Sequence, residues 1–292
     1  MRNLKWRRVT ALPAAFVLLL GLFAGCSEGD VTPSVAPTTD APTPEPQVVQ
    51  IPFGIGYPSD TKVIEEPYTS TEDLSILKGF THLERLDLQL NKIYDLSPLT
   101  GLTTLKSLTL NGNQVESINA LEFLVNLEEL NLNANSVADL TPLTNLTKLT
   151  SLMVGDQVAD LTPLANLTSL KILDVDHNLV SDLTPLRGLT NLTDLNLGGN
   201  QIDDITPLKD LTNLTVLILE RSYELSDISV LSGMTKLEEL DLCDCKISDL
   251  TPLYALTNLK RLNINLNPLE QEQIDALQAA LPDCEIFFLH KP

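Results

Sequence analysis

Leucines recur at a fixed spacing from Leu83 onward, and polar residues fill most of the positions between them. The stretch from Leu83 to Thr104 reads LERLDLQLNKIYDLSPLTGLTT, and its pattern L-x-x-L-x-L-x-x-N-x-I-x-D-L-x-P-L-x-x-L-x-x returns about every 22 residues. A constant period of this length predicts stacked coils, each of which buries its apolar face against its neighbours. Nine coils, numbered 1 to 9 below, begin at Leu83, Leu105, Leu127, Leu149, Leu170, Leu192, Leu214, Leu237 and Leu259.

This pattern is typical of a leucine-rich repeat. The L-x-x-L-x-L part alternates as a short strand does, so its leucines point inward and the residues at positions 3, 5 and 7 of each coil point out of a parallel sheet. We therefore predict an α/β fold, a right-handed leucine-rich-repeat solenoid with about nine parallel strands on its concave face. Residues 83–269 form the repeats in this prediction.

The convex side of each coil carries the motif D-[LI]-[ST]-P-L, as from Asp182 to Leu186. Ser or Thr at the N-cap, followed by Pro at the first helical position, starts a helical turn with a pre-set φ. Only about six residues separate this turn from the next strand, so short 3₁₀ turns are expected.

Position 9 of most coils is an asparagine, whose amide can both donate and accept hydrogen bonds. Stacked copies predict a ladder that satisfies backbone groups where each strand turns away. The ladder residues are Asn91, Asn113, Asn135, Asn178, Asn200 and Asn267.

The ends of the array change pattern, as the ends of repeat proteins do. Residues 270–292 predict a C-terminal cap, with an amphipathic helix from about Glu270 to Leu281 and a short strand near Glu285 to Leu289. Residues 51–82 predict an N-terminal cap, in which residues 62–66 supply an edge strand and residues 73–77 resemble half a coil.

The first 25 residues have the features of an export signal, with a basic start, an apolar run of roughly 14 residues and no span long enough to cross a bilayer. The sequence from Leu22 to Cys26 resembles a bacterial lipobox, which predicts lipidation of Cys26. Residues 26–50 are rich in Pro and Thr and predict a spacer with a reach of roughly 70 Å. The expected location is the bacterial cell envelope, on the extracellular side of the membrane and held by a lipid anchor.

Charge restricts the choice of partner. The chain has 19 basic and 39 acidic residues, and removal of the signal segment leaves 15 basic residues and a net charge of −24. Such a field repels nucleic acid and favours basic partners.

The 22-residue coil with N-x-I-x-D-L-x-P-L and the following L-T-x-L resembles the internalin class of bacterial leucine-rich-repeat surface proteins, over about residues 70 to 270. The resemblance implies an extracellular protein-binding module that uses its concave sheet and has no catalytic residues. Two features depart from many internalins: a lipobox replaces the C-terminal wall-sorting signal, and no Ig-like domain follows the repeats. The coil is also similar to that of the regulatory subunit of eukaryotic protein phosphatase 1, although an export signal argues against that role.

Catalytic and metal chemistry find little support in the sequence. His82, His177 and His290 are separated by several coils or by the cap, and no nucleophile motif or phosphate-binding loop is present. We therefore expect no enzyme activity, no cofactor and no metal. Cys243, Cys245 and Cys284 allow at most one internal disulfide, and the sequence leaves its existence open.

The predicted ligand-binding surface lies on the concave side of the middle coils. Its aliphatic residues suit an apolar contact and its carboxylates suit a protein or peptide of basic character. The predicted contact residues are Met153, Ile172, Asp174, Asp176, Asp194, Asn196, Val216, Ile218, Glu220 and Asp241.

Two other functions remain open from the sequence. One is an envelope-structural scaffold that holds cell-wall material, and the other is cation binding by Asp174, Asp176 and Asp194. Coil 4 is one residue short and coil 7, residues 214–236, is one residue long. Such irregular coils mark a binding edge or reflect neutral drift at a turn. The alternative contact sites are the turn from Glu220 to Glu224 and the convex Tyr254.

Overall fold

The computed structural model describes residues 48–50 and 56–289 of the chain, which form a solenoid built on one parallel sheet of eleven strands. The strands follow one another in chain order across the sheet, without a crossover. The strands are β3 (Val63–Glu65), β4 (Arg85–Asp87), β5 (Ser107–Thr109), β6 (Glu129–Asn131), β7 (Ser151–Met153), β8 (Ile172–Asp174), β9 (Asp194–Asn196), β10 (Val216–Ile218), β11 (Glu239–Asp241), β12 (Arg261–Asn263) and β13 (Glu285–Phe287). The nine predicted repeat strands, β4 to β12, are confirmed, and one cap strand extends the sheet at each end.

Equivalent residues of successive coils pair directly with one another. Leu195 stands opposite Leu173 on one side and Leu217 on the other, and all three are fully buried. Burial of a leucine side chain stabilises a fold by roughly 1.5–3 kcal/mol, so this continuous leucine column is the main support of the solenoid. Because the register is preserved, the surface neighbours of any strand residue are the same positions of the adjacent coils.

Short 3₁₀ helices occupy the other side of the coils, as predicted. They are Ser75–Gly79, Ser97–Leu99, Asn119–Phe123, Thr141–Leu143, Thr162–Leu164, Thr184–Gly188, Thr206–Leu208, Ser229–Gly233 and Thr251–Ala255.

The predicted capping residue of these turns is wrong. Thr184 is already the first residue of its 3₁₀ helix, and its backbone N–H donates to Asp182 Oδ1 at 2.8 Å. Hydrogen bonds from the side chain and backbone of Thr184 hold the pKa of Asp182 below its ordinary value. The aspartate of the motif, two residues earlier, therefore accepts the bond that was expected of the Ser or Thr side chain.

The asparagine ladder is present and joins adjacent coils. Asn200 Nδ2 donates to the carbonyls of Val175 at 2.8 Å and Leu197 at 2.9 Å, while its Oδ1 accepts from the Val180 N–H at 3.0 Å. One buried amide thus satisfies three backbone groups from two coils.

Three coils lack the ladder asparagine. Coil 4 has the exposed Gln157 at position 9, coil 7 has Ser222 and coil 8 has Cys245. Ser222 is fully buried, and its Oγ has no hydrogen-bond partner within the described residues. The Cys245 thiol donates weakly to the Leu219 carbonyl at 3.5 Å and to that of Cys243 at 3.8 Å.

Both ends of the core are covered. At the C-terminus, helix α1 (Gln271–Ala280) buries Ile274 and Leu277, and β13 follows it. At the N-terminus, β1 (Val48–Gln50) pairs antiparallel with β2 (Gly56–Pro58), and Tyr57 packs against the core. Strand β1 occupies the last three residues of the segment that the sequence assigned to the spacer. No helix in the described ranges is long and apolar enough to cross a membrane.

Candidate functional site

The concave face is a grid of side chains with three rows, named here row 3, row 5 and row 7 after their positions in each coil. In coil 6 these are Asp194, Asn196 and Gly198. Strand pairing sets the neighbours within each row: Asp194 lies between Ile172 and Val216, and Asn196 lies between Asp174 and Ile218. The surface of the site can therefore be derived directly from the register.

Carboxylates concentrate in coils 5 to 8 of this grid. Between positions 3 and 8 of these coils, the one Arg or Lys is Arg221, at position 8 of coil 7. Arg261 follows at position 3 of coil 9. The acidic members are Asp174, Asp176, Asp194, Glu220, Glu239, Asp241 and Asp244. Their proximity gives this part of the concave face a strongly negative field.

The predicted contact residues are not equally accessible. Ile172, Asp176, Asp194, Val216, Ile218 and Glu220 are half-buried. Met153, Asp174, Asn196 and Asp241, by contrast, are at most 5% exposed. The expectation that these four side chains stand open to a ligand is wrong.

Three of the four, Asp174, Asn196 and Asp241, share a local hydrogen bond that recurs in row 5. Asp174 Oδ1 accepts from the N–H of Asp176, two residues later, at 3.2 Å. Asn196 and Asp241 accept in the same way from the residues two positions after them, at 3.1 and 2.9 Å. These side chains fold back onto their own turns and support the strand ends, while their neighbours cover them.

A signal for this role was present in the sequence. Asp or Asn occupies position 5 in six of the nine coils, a recurrence that indicates a structural acceptor. The members are Asp87, Asn131, Asp174, Asn196, Asp241 and Asn263.

The predicted aliphatic cluster is divided into two parts. Met153 and Ile172 belong to coils 4 and 5, whereas Val216 and Ile218 belong to coil 7. Coil 6 places polar side chains between them in both rows. The apolar part of the concave face is therefore two small patches separated by a polar strip.

Asp241 is the most perturbed carboxyl of the site. Its Oδ2 accepts from Asn263 Nδ2 at 2.9 Å, and only 2% of the residue is exposed. Burial raises the pKa of Asp241 to about 6, against the lowering effect of its hydrogen bonds from Cys243 and Asn263, and the nearby Glu220 adds to the rise.

The cysteines provide no reactive centre here. Cys243, Cys245 and Cys284 are free, which answers the open disulfide question for this structure. Burial, followed by the neighbouring Asp241, raises the pKa of Cys243 to about 11, so its nucleophilic thiolate is scarce at neutral pH. Within residues 48–50 and 56–289, no three or more His, Cys, Asp or Glu side chains are placed to hold a metal ion.

Position 8 forms a further row along the margin of the sheet, and its backbone is left-handed in every coil. Examples are His177 (φ 51°), Gly199 (φ 67°) and Arg221 (φ 61°). A Cβ on Gly199 would lie 3.2 Å from the His177 ring, so the missing side chain leaves room for this ring to lie across coil 6.

Both ring nitrogens of His177 have partners: Nδ1 lies 3.2 Å from Asp176 Oδ2, and Nε2 lies 3.3 Å from Arg221 Nη1. A chain of three side chains therefore spans coils 5 to 7. Sequence reasoning missed this contact because His177 and Arg221 are 44 residues apart. Gly199, in the coil between them, was the sequence feature that could have indicated this contact.

Comparison with known proteins agrees with this geometry. The family described as "Leucine Rich repeats (2 copies)" matches residues 81–123, 125–166, 190–233 and 235–279. No curated protein matches the chain closely enough to count as a relative.

Several solved structures share the fold. The internalin InlF of Listeria monocytogenes is 32% identical over 81% of this chain and 70% of its own, with a TM-score of 0.74. Internalin C2 of the same organism is 30% identical over 74% of this chain and 85% of its own, with a TM-score of 0.57. A leucine-rich-repeat protein of Leptospira interrogans is 28% identical over 78% of this chain and 60% of its own, with a TM-score of 0.73.

Proposed function

This chain belongs to the leucine-rich-repeat family, and we propose that it is a membrane-anchored extracellular module that binds a protein or peptide of basic character on its concave face. The leucine-rich-repeat fold commonly mediates protein or peptide binding, and proteins of this fold are typically non-enzymatic. The similar internalins and the Leptospira protein are bacterial. The lipobox-like sequence from Leu22 to Cys26 supports a bacterial origin for this chain as well.

The observation that carries the binding proposal is the local excess of carboxylates in coils 5 to 8. Asp176, Asp194 and Glu220 are half-buried, so each side chain reaches the surface while its surroundings exclude part of the water. Charges in such a setting are screened less than fully exposed ones. A basic ligand would be drawn to this face and oriented by it.

Ile172 on one side of the polar strip, and Val216 with Ile218 on the other, supply the apolar part of the contact. Val216 and Ile218 lie next to Glu239 and Asp241 in the grid. Burial of their exposed area by a ligand would slow dissociation, while the carboxylates would mainly speed association.

The anchor proposal depends on the N-terminal sequence. The signal-like segment and Cys26 lie outside the described residues, and so does nearly all of the Pro-rich spacer. In this proposal, lipid at Cys26 holds the head at the outer surface of the membrane, and the spacer sets its distance from the bilayer.

Binding can be tested with a defined basic probe, a labelled twelve-residue peptide of alternating Arg and Ser. We expect Asp194→Lys to weaken binding of this peptide by about tenfold, or ~1.4 kcal/mol, and to flatten its salt dependence. Fluorescence anisotropy at several salt concentrations measures both effects.

Asp203→Lys is the matched control, because Asp203 belongs to the same coil and is exposed at position 12, beyond the concave rows. It changes the net charge of the molecule by the same amount. Equal losses in the two variants would show that only total charge attracts the peptide, and the concave face would then not be the site.

A further inference from the structure

Two large apolar side chains of the acidic coils are exposed at the margin of the sheet. Leu179 in coil 5 is 50% exposed and Tyr223 in coil 7 is 55% exposed. Both are at position 10, where other coils carry Lys92, Gln114, Ser136, Gln201 and Lys246. Single exposed apolar residues are ordinary on proteins, but these two lie on either side of the same coil.

The extra residue of coil 7 explains why Tyr223 projects. The Leu225 N–H donates to the Ser222 carbonyl at 3.0 Å, which closes a turn with Tyr223 and Glu224 at its tip. Glu224 Oε2 lies 2.6 Å from Lys246 Nζ, which ties the tip to coil 8. The inserted residue is therefore held outward by defined contacts.

The space between Leu179 and Tyr223 is bridged by side chains that are already in place. His177 lies across Gly199 and is held at one nitrogen by Asp176 and at the other by Arg221. Because a guanidinium only donates, the contact with Arg221 fixes Nε2 as the acceptor and Nδ1–H as the donor to the carboxylate. Side chains that are already fixed lose less conformational entropy when a partner binds.

We propose that His177, Leu179, Arg221 and Tyr223, called the rim patch below, anchor an aromatic or large apolar side chain of the partner, next to that partner's basic residues. This inference rests on the proposed function and makes it more specific. Tyr and Arg are the residue types that dominate binding energy at protein interfaces. The basic neighbours of the anchor would face Asp176 and Glu220, which adjoin the patch in row 7.

The contact would then cross the margin of the sheet rather than stay within it. The concave rows themselves carry no aromatic residue in coils 1 to 9. The rim patch supplies the aromatic contact that these rows lack, and it belongs to the coils with the densest negative charge. Charge would orient the partner, and the anchor would set how long it stays.

Two peptides can test the rim patch with the full chain. One is the labelled alternating Arg–Ser peptide, and the other is identical except that one central Ser is replaced by Trp. We expect the Trp peptide to bind the parent protein about five- to tenfold more tightly. The double variant Leu179→Ser, Tyr223→Ser should lose this advantage and still bind the Arg–Ser peptide as the parent does.

Tyr94→Ser, Val125→Ser is the matched control, since both residues are exposed, at 63% and 49%, in coils 1 and 2. Retention of the Trp advantage in this variant, with its loss in the rim variant, supports the proposal. Equal binding of the two peptides by the parent, or survival of the advantage in the rim variant, overturns the rim patch and leaves the concave proposal intact. Failure of both peptides to bind the parent overturns the proposed function itself.

Discussion

Asp241 has two opposing influences on its carboxylate. Its oxygens accept from the Cys243 N–H and from Asn263 Nδ2, which favours the charged form, yet burial disfavours it more strongly. The net effect is a pKa raised from 3.8 to about 6. The folded protein therefore binds a proton here more readily than the unfolded chain does, and the ionised side chain costs stability at neutral pH.

We expect Asp241→Asn to change how stability depends on pH. Above pH 6 the parent carries the full cost of the ionised carboxylate; this cost shrinks as the pH falls through 6 and vanishes below about 4. Relative to the variant, the parent should therefore lose about 1 to 3 kcal/mol of unfolding free energy between pH 4 and pH 7. Urea unfolding at several pH values gives this difference.

The exposed Asp203→Asn variant is the control and should follow the parent at each pH. The decisive quantity is the slope against pH, which does not depend on how the bond to Asn263 changes. Parallel curves for the parent and Asp241→Asn would contradict the raised pKa.

At the same scale, sequence alternation predicted on which face a side chain lies but not how much of it is covered. Asp174 and Asp176 both belong to the concave face, and only the second reaches the surface. Coverage depends on neighbours about 22 residues away and on hydrogen bonds within the turn. The alternating pattern contains neither.

At the level of elements, the asparagine ladder adds buried side-chain hydrogen bonds to the backbone pairing that links adjacent coils. Each ladder amide joins its own coil to the preceding one, as Asn200 does. Coils 7 and 8 interrupt this series with Ser222 and Cys245, beside the turn that exposes Tyr223. The irregular turn thus lies where two consecutive coils lack the ladder asparagine.

Asn200→Ala should be strongly destabilising, because it leaves two buried carbonyls and one buried N–H without partners. At about 1 kcal/mol or more for each unpaired group, we expect a loss of roughly 2 to 4 kcal/mol. Chemical denaturation followed by circular dichroism measures the loss.

Asn191→Ala serves for comparison, since Asn191 is exposed and its amide donates one bond, to the Thr168 carbonyl at 2.8 Å. Its loss should stay below about 1 kcal/mol. A similar cost in both variants would mean that burial of the ladder contributes nothing extra.

The repeat strands, the cap helix and the two strands that extend the sheet were predictable to within a few residues, because each follows from a local pattern. The hairpin of β1 and β2 was not predicted, and β1 lies in the segment that the sequence assigned to the spacer. The capping of the 3₁₀ turns was not predictable in this way. The motif offers two candidate acceptors, such as Asp182 and Thr184, and geometry selects the first. Residue type alone favours both Asp and Thr as capping acceptors.

For the molecule as a whole, the repeat period was sufficient to predict the solenoid, while the location of the protein depends on residues outside the described ranges. We expect Cys26→Ser to release the protein from membranes. A multiply acylated cysteine anchors firmly, whereas a single chain or none binds weakly. Partition into a detergent phase, compared with that of the parent, measures the change.

Cys243→Ser is the matched control, because it replaces a cysteine of the repeats and leaves the N-terminal sequence intact. It should partition as the parent does. If the Cys26→Ser protein remains equally membrane-bound, the anchor lies elsewhere in the chain.

The unshifted register of the sheet also has an evolutionary meaning. Neighbours on the concave face are about 22 residues apart in sequence, as Asp194 and Val216 are. Duplication of one complete coil would therefore add one side chain to each row of the concave face. The other coils would keep their pairing with their neighbours. Coil 4 is one residue short and coil 7 one residue long, in both cases outside the strands, so their strand pairing is intact. Recombination between coils can thus lengthen this surface or change the order of its side chains, while the strand pairing and the packing of the core are kept.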